Sequence, residues 1–364
     1  MKRQDVIFSN DVADVLNALL RERDGKVFVL TDDNTRRVVW PRLRTTCDAL
    51  SGVGEDDIIV IAAGDSHKDI ATLQSVWDSL QRGGATRHSL LLNVGGGVVT
   101  DLGGFAAATF KRGMPFINLP TTLLAAVDAA VGGKTGINYN GLKNEVGAFC
   151  PADAVVVSTT FFATLPREEL LSGFAEMIKH AMLTDNDALG RLLDFDITAA
   201  DVDRDTMLRL VEHSVNVKRD IVEQDPLERG LRRALNLGHT VGHAFESYSL
   251  HGMLESDVAP LPHGYAVAYG LVVEAVLSHM RLKFHSSLVH RLAARVKELY
   301  GTPHFTCDDY EPLLALMRHD KKSRDGEINC SLLRRACGDI VVDNLITADE
   351  MKTAFDIFRD LNGI

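Results

Sequence analysis

The sequence is short of several things, and each shortage removes a class of protein. Cysteines number five (Cys47, Cys150, Cys307, Cys330 and Cys337) and are scattered with no Cys-x-x-Cys pair. Such a set builds neither a disulfide framework nor a thiolate zinc site. Positive charge is scarce: 39 Lys and Arg stand against 50 Asp and Glu, a formal net charge of −11. That balance disfavours non-specific binding to nucleic acid or an anionic membrane, while leaving room for a local basic pocket. Long apolar runs are missing; the longest, such as Ile58 to Ala63, are strand length, well below the roughly 18 residues a membrane span needs. No apolar stretch of about 7 to 15 residues follows the basic start MKRQ, so no secretory signal is expected and the cytoplasm is the expected location. Low-complexity segments and repeats are absent, and 46% hydrophobic with 24% charged residues excludes general disorder. A chain of 364 residues is two to three times a usual domain, so two cores are expected.

What is present divides the chain in two. Lys26 to Thr31, Ile58 to Ala63, Leu90 to Val94 and Phe116 to Leu119 are short, uniformly apolar runs separated by helical stretches. That pattern predicts βαβ units and a parallel sheet covered on both faces, an α/β domain over residues 1–160. From about Pro166 the period becomes helical, as in REELLSGFAEMIKHAML and AVAYGLVVEAVLSHMRL, which predicts an all-α domain over 161–364. DGEINCSLLRRACGDIVV fits a small hairpin between helices. The boundary is expected between Pro151 and Pro166.

Several segments carry candidate chemistry. LLLNVGGGVVTDLGGF runs from a strand through three glycines into a helix, a shape that lets backbone N–H groups and a helix N-terminus meet a phosphate; a tight turn without a ligand is the alternative. AAGDSHKD puts Asp65 and Lys68 on a loop at the same sheet edge, where open parallel sheets bind ligands. In LPTTLLAAVDAAVGGKTGINYNGLKN, Asp128, Lys134, Lys143 and Asn144 cluster on a glycine-rich connection suited to an oxyanion-rich substrate. LRRALNLGHTVGHAFE reads as one helix on which Arg232, Asn236, His239 and His243 fall within about 60° of arc. Its two histidines at i and i+4 can face one metal ion, and Gly238 and Gly242 permit close approach. Glu176 and Lys179 share a helix face, on their own a routine surface pair. His263 sits just ahead of a small-residue helix and competes with His251 as a further ligand. Two imidazoles and a carboxylate would leave coordination positions open, as catalytic sites do. LMRHDKKSRDGE concentrates Arg318, Lys321, Lys322 and Arg324 as an anion clamp or a solvated loop.

Taken together, GGGVVTDLGGFAAATFKRG, LPTTLLAAVDAAVGGKTGIN, LPREELLSGFAEMIKHAML, RALNLGHTVGHAFE, HGYAVAYG and HDKKSRDG resemble, in order and spacing, the 3-dehydroquinate synthase family of sugar phosphate cyclases. The resemblance covers roughly residues 26–330. It implies an N-terminal domain binding NAD, a helical domain holding Zn2+ or Co2+, and a homodimer. Carried onto this sequence, it implies Glu176, His239 and His263 as metal ligands, with His243 a neighbouring active-site residue instead of a ligand. It implies substrate contacts from Asp128, Lys134, Asn144, Lys179, Lys218, Arg232, Asn236 and one of Lys321 or Lys322, and from Arg112 reaching across a dimer. Around NAD it implies Asp32, Asp65, Lys68, Gly96, Gly97, Asp101, Thr121, Thr122, Lys134, Lys143 and Thr164. Thr100, the order Gly141-Leu142-Lys143-Asn144, and Tyr265 in place of a glutamate depart from the family pattern.

The implied substrate is a small sugar phosphate, 3-deoxy-D-arabino-heptulosonate 7-phosphate, whose carboxylate and phosphate account for a basic pocket on an acidic protein. A metal-dependent polyol dehydrogenase, a cyclase for another sugar phosphate and a non-catalytic scaffold are the rival readings. The two lysine-bearing loops and the Arg232/Asn236 pair argue against the first; Asn236 and His243 argue against the second; joint retention of ligands and anion contacts argues against the third. The whole reading requires the carboxylate of Glu176 and the imidazoles of His239 and His263 to lie close enough to share one ion.

Overall fold

The computed structural model describes residues 4–21, 23–199, 202–250, 260–318 and 327–364. The chain forms two compact units: Met1–Leu170 with Ala200–Arg219, and Leu171–Ala199 with Asp220–Ile364.

The first unit is built on a parallel sheet. In chain order come β1 (Asp5–Phe8), α1 (Val12–Arg21), β2 (Val27–Asp32), α2 (Asp33–Val38), α3 (Trp40–Thr46), β3 (Ile58–Ile61), α4 (Ile70–Arg82), β4 (Leu90–Gly95), α5 (Gly97–Thr109) and β5 (Phe116–Pro120). Then follow β6 (Lys134–Tyr139), β7 (Leu142–Phe149) and β8 (Ala154–Val157). The six-stranded sheet runs β1-β8-β5-β4-β2-β3, every pairing parallel. All residues of β4, β5 and β8 are buried, as uniformly apolar strands between two helical layers require. From β2 the chain passes to β3 on one side and returns to β4 on the other. The carboxyl ends of β2 and β4 therefore form a topological switch point, the place where such sheets bind ligands.

The four strands read from the sequence are present, and two more join them. β1 and β8 are runs of four residues, too short for a period to declare, and they become strands because each finds the other at the sheet edge. The first compact unit runs to Leu170 and takes in residues 200–219 as well. β6 and β7 correct the expected glycine-rich connection: the segment is an antiparallel hairpin. Its turn is Asn140-Gly141, with φ of 50° and 78°, the left-handed pair that suits a two-residue hairpin loop.

The second unit is mainly helical. α6 (Arg167–Met182) and α7 (Asn186–Asp194) are followed by α8 (Arg204–Gln224), within which the unit assignment changes. Next come α9 (His239–Leu250), α10 (His263–Leu282), α11 (Ser286–Tyr300), α12 (Tyr310–Arg318) and α13 (Ala348–Asn362). The expected hairpin appears as β9 (Ile328–Leu333) with antiparallel β10 (Ile340–Ile346).

α10 packs against α6 and α9 through glycine. A methyl group at Gly264 would lie 2.2 Å from the Cα of Ser172 on α6, and one at Gly270 would lie 2.0 Å from the carbonyl oxygen of Gly238. Neither position admits a larger residue, and the near-contact of backbones brings three helices carrying polar side chains together. Behind α9, Phe245 stacks with Tyr269, Phe305, Phe355 and Phe358 at ring separations of 5.2–6.5 Å, an apolar wall that fixes one side of the helix.

Candidate metal centre and nucleotide loops

In the second unit, Glu176 on α6 is fully buried, with Oε1 3.4 Å from Nε2 of His239 and 3.6 Å from Nε2 of His263. One donor atom from each of the three residues lies within 4.8 Å of the others. The proximity required of residues 176, 239 and 263 is met.

The protonation pattern is set by surroundings. His239 is pushed down to about 3, first by burial and then by the Lys179 ammonium, so its ring is neutral at ordinary pH. Its Nδ1 is 3.1 Å from the carbonyl oxygen of Leu237, an acceptor that assigns the ring proton to Nδ1. Nε2 therefore presents a lone pair to Glu176. Burial acts to raise Glu176, but Lys179 and the two histidines hold it well below the usual carboxylate range. Its Oε1 makes no hydrogen bond. A lone pair and a buried carboxylate oxygen 3.4 Å apart are two acceptors facing each other. A divalent cation completes that arrangement, and N₂O ligation suits zinc or cobalt. On His263, burial opposes the charged form, but Glu176 at one nitrogen and Glu246 at the other raise it to about 10. Metal uptake there displaces a proton.

Two readings made from spacing change. Glu176 and Lys179 do form an ion pair across one helical turn, but it is buried, with 0% and 1% of the side chains exposed, instead of lying on the surface. Residues 231–246 are not one helix. Leu231–Asn236 is a 3₁₀ turn, Gly238 breaks the backbone with φ of 79°, and α9 starts at His239. Arg232, Asn236 and the two histidines therefore do not share one helical arc; glycine's left-handed conformation ends the helix that periodicity predicts. His243 takes no place in the triad with Glu176; it groups with Glu246 and His263, its ring 5.4 Å from that of His239 and 6.0 Å from that of His263. Arg232 is buried at 2% exposure, its guanidinium donating to the carbonyl oxygen of Pro226 at 2.8 Å. Asn236 donates to Glu228 at 3.4 Å. Lys321, Lys322, Arg324 and His251 lie outside the described residues.

The first unit gathers the nucleotide-loop candidates at the carboxyl ends of its strands. Gly96 precedes α5, whose N-terminus has no side-chain cap, and a methyl group at Gly96 would stand 3.1 Å from Thr122 Cγ2. Uncapped N–H groups on a helix that admits close approach are what a pyrophosphate needs. Thr121 donates its N–H to the carbonyl oxygen of Gly95, and Thr122 Oγ1 accepts from the N–H of Ala125. Lys68, 4% exposed, reaches both Asp101 Oδ2 and Asn144 Oδ1 at 2.5 Å. Burial raises the Asp101 carboxyl despite that ammonium. Lys143 lies 3.4 Å from Asp65, and Lys218 donates to the Asp128 carboxylate and carbonyl, both at 2.6 Å. Lys134 opens β6 in an exposed position. Asp32 accepts from the N–H of Thr35 at 2.8 Å and caps α2. Arg112 is exposed in a turn with left-handed backbone, φ 66°, and Thr164 is exposed with its hydroxyl donating to Phe161.

Residues not singled out from the sequence complete both sets. Glu246 lies 3.3 Å from Nδ1 of His263. Asn138 donates to Asp65 at 3.1 Å and accepts from the N–H of Asn144 at 2.9 Å. The i+7 step from His239 to Glu246 was the available signal for the first; Asn138 has none, since strand register alone brings it to Asp65. Among the described residues no helix is long and apolar enough to cross a membrane.

Family models described as 3-dehydroquinate synthase N-terminal and C-terminal match residues 58–172 and 173–323. A 3-dehydroquinate synthase of Parabacteroides distasonis is 43% identical over 365 residues, covering 100% of each chain. Of solved structures, ValA, the 2-epi-5-epi-valiolone synthase of Streptomyces hygroscopicus subsp. jinggangensis with NAD+ and Zn2+ bound, has a TM-score of 0.79 at 26% identity, covering 99% of this chain and 98% of its own. A 2-deoxy-scyllo-inosose synthase complexed with carbaglucose-6-phosphate, NAD+ and Co2+ shares the fold, with a TM-score of 0.80 at 21% identity over 98% and 96% of the two chains.

Proposed function

The chain belongs to the 3-dehydroquinate synthase family, and on that premise we propose that it converts 3-deoxy-D-arabino-heptulosonate 7-phosphate to 3-dehydroquinate and phosphate. The observation that carries this reading is the buried Glu176–His239–His263 group, whose facing acceptors call for a cation, in a chain that also keeps an uncapped, glycine-led helix at a sheet switch point.

NAD, held at the start of α5 and by Asp32, Asp65 and Lys143, supplies a reversible hydride acceptor for the C5 alcohol. A divalent cation held by Glu176, His239 and His263 supplies a Lewis acid that acidifies a bound hydroxyl and later polarises a carbonyl. With the cofactor bound, reversible oxidation at C5 would acidify the C6 proton and let phosphate leave from C7, and once C5 is an alcohol again, ring opening followed by aldol addition would close the carbocycle. Such a cycle would consume no cofactor, which is the stoichiometry of a phosphate-eliminating lyase.

The chain's own groups bind and orient. Arg112, Lys134, Asn144 and Lys321 or Lys322 neutralise the phosphate, while Lys179, Lys218, Arg232 and Asn236 hold the carboxylate and hydroxyl end. Lys179 also keeps Glu176 ionised, hence ready as a ligand. Asp128 fixes the Lys218 ammonium through two hydrogen bonds. His243, beside both ligand histidines, relays a proton. The departing phosphate, itself a base, takes the C6 proton. The reading also makes the protein a cytoplasmic homodimer in which Arg112 serves the substrate of the second copy.

The test is to incubate purified protein with the heptulosonate phosphate, catalytic NAD+ and zinc, following phosphate and NADH together. Stoichiometric phosphate without net NADH is expected. Accumulating NADH would instead mark a dehydrogenase and refute the proposal.

A further inference from the structure

Both ligand histidines are the first residues of their helices, His239 of α9 and His263 of α10. The first turn of a helix has unsatisfied N–H groups, usually capped by a Ser, Thr, Asp or Asn just before it. Neither helix has such a residue: Gly238 precedes one and Pro262 the other. Each helix instead supplies a carboxylate to the start of its neighbour. Glu246, on α9 and 5% exposed, stands 3.3 Å from Nδ1 of His263. Glu274, on α10 and fully buried, accepts from the N–H of Gly238 at 2.6 Å and from that of Val241 at 3.3 Å, the residues on either side of His239 and Thr240.

Glu274 sits in the run Val272-Val273-Glu274-Ala275-Val276, where every neighbour is apolar and buried. A carboxylate there is costly to desolvate, and an aliphatic side chain would fill the space without that cost. Its oxygens accept from the backbone that delivers His239. Glu246 does the corresponding task on the side chain, since a carboxylate on one ring nitrogen fixes the tautomer and the plane in which the other points at an ion.

We infer that Glu246 and Glu274 are positioning residues that set the cation affinity of the Glu176–His239–His263 centre, bracing α9 and α10 reciprocally. The inference rests on the reading that this triad holds the divalent cation. One carboxylate acts through the ring of His263 and the other through the main chain beside His239.

The experiment measures zinc affinity of the full-length protein by competition with a chromophoric chelator, the visible absorption and stoichiometry of the Co2+-loaded form, and the thermal melting of the metal-free form. Removing such an outer partner typically weakens binding about 10- to 100-fold, which is the loss expected for Glu246→Ala, with an altered cobalt spectrum. Glu246→Gln keeps an oxygen that accepts from Nδ1–H and should recover most of that loss. Glu274→Gln keeps one acceptor of two and should weaken zinc about 10-fold; it carries the test if Glu274→Ala does not fold. Lowered melting with unchanged zinc affinity and cobalt spectrum would make both residues merely structural and overturn the inference. Two cobalt ions per wild-type chain, falling to one in Glu246→Ala, would make Glu246 a ligand of a second ion through the His243–Glu246–His263 group and overturn it differently. If zinc binds His239→Ala as tightly as wild type, the triad itself is refuted, an outcome separate from a failure of the bracing alone.

Discussion

The loops of the first unit and the histidine centre of the second solve the same problem, holding polar groups in a protein interior, in opposite ways. In the first, opposite charges are matched: Lys68 lies between Asp101 and Asn144, and Lys218 bonds Asp128. In the second, Glu176 pairs through Oε2 with Lys179, but its Oε1 stands 3.4 Å from the lone pair of neutral His239, so that one contact is electrostatically unmatched. A matched set is stable by itself and must exchange partners to take a ligand; an incomplete one waits for a cation. The difference teaches that the first region should fail by losing stability and the second by losing metal.

The sharpest way to break that contrast is at the centre. His239→Ala, or prolonged chelation of the wild type, should cut phosphate release at least about a hundredfold, since losing a ligand outweighs the loss of an outer partner. Added Zn2+ or Co2+ should restore the chelated wild type but not the variant; full activity in His239→Ala would remove the metal assignment. Next in size, Lys68→Met strands the half-buried Asp101 carboxylate and should destabilise the first unit by about 1–3 kcal/mol in urea unfolding, the cost of leaving a shielded polar group without its partner. A loss below about 0.5 kcal/mol would make that pair a solvated one. Gly264→Ala forces a methyl group onto α6 and should cost about 1–3 kcal/mol by overpacking, with metal affinity falling alongside because His263 is adjacent. Unchanged melting would show that the helices separate freely.

The smallest effect is one of pH. Asp225 accepts from the N–H of Arg229, Gly230 and Arg232, and these bonds, that of Arg229 foremost, hold its carboxyl below the ordinary range. Its folded value being depressed, its contribution is complete above the ordinary carboxylate range and disappears as the pH falls through the lowered value. The protection of the amides at residues 229–232, with the intrinsic pH dependence of exchange divided out, should therefore fall on acidification in the wild type and lose that pH dependence in Asp225→Asn. Equal profiles would exclude the carboxyl as the cause.

Much of this was legible in residues. Uniform apolarity announced β2, β3, β4 and β5, and the i, i+4 spacing of His239 and His243 announced a polar helix face suited to a metal. Burial of the Glu176–Lys179 pair was not legible, because an i,i+3 carboxylate and ammonium look alike on a surface or in a core. Nor was the break at Gly238: helical periodicity continues through residues 231–246, while the glycine takes a φ of 79° at a place where Leu271 leaves no room for a side chain. Asn140-Gly141 was an overlooked local signal, since that pair by itself prefers a hairpin turn.

The amino-acid order alone determined which segments bury themselves, where helical and strand periods change, and which residue types are available as ligands and anion donors, because these follow from side-chain chemistry and repeat length within a few turns. Tertiary packing decided which donors meet. Glu176, His239 and His263 lie on three helices, 63 and 24 residues apart in sequence by their numbers, and share a few ångströms only because glycines at 238, 264 and 270 let those backbones nearly touch. Contacts across such separations depend on packed distances, and no local pattern encodes a distance.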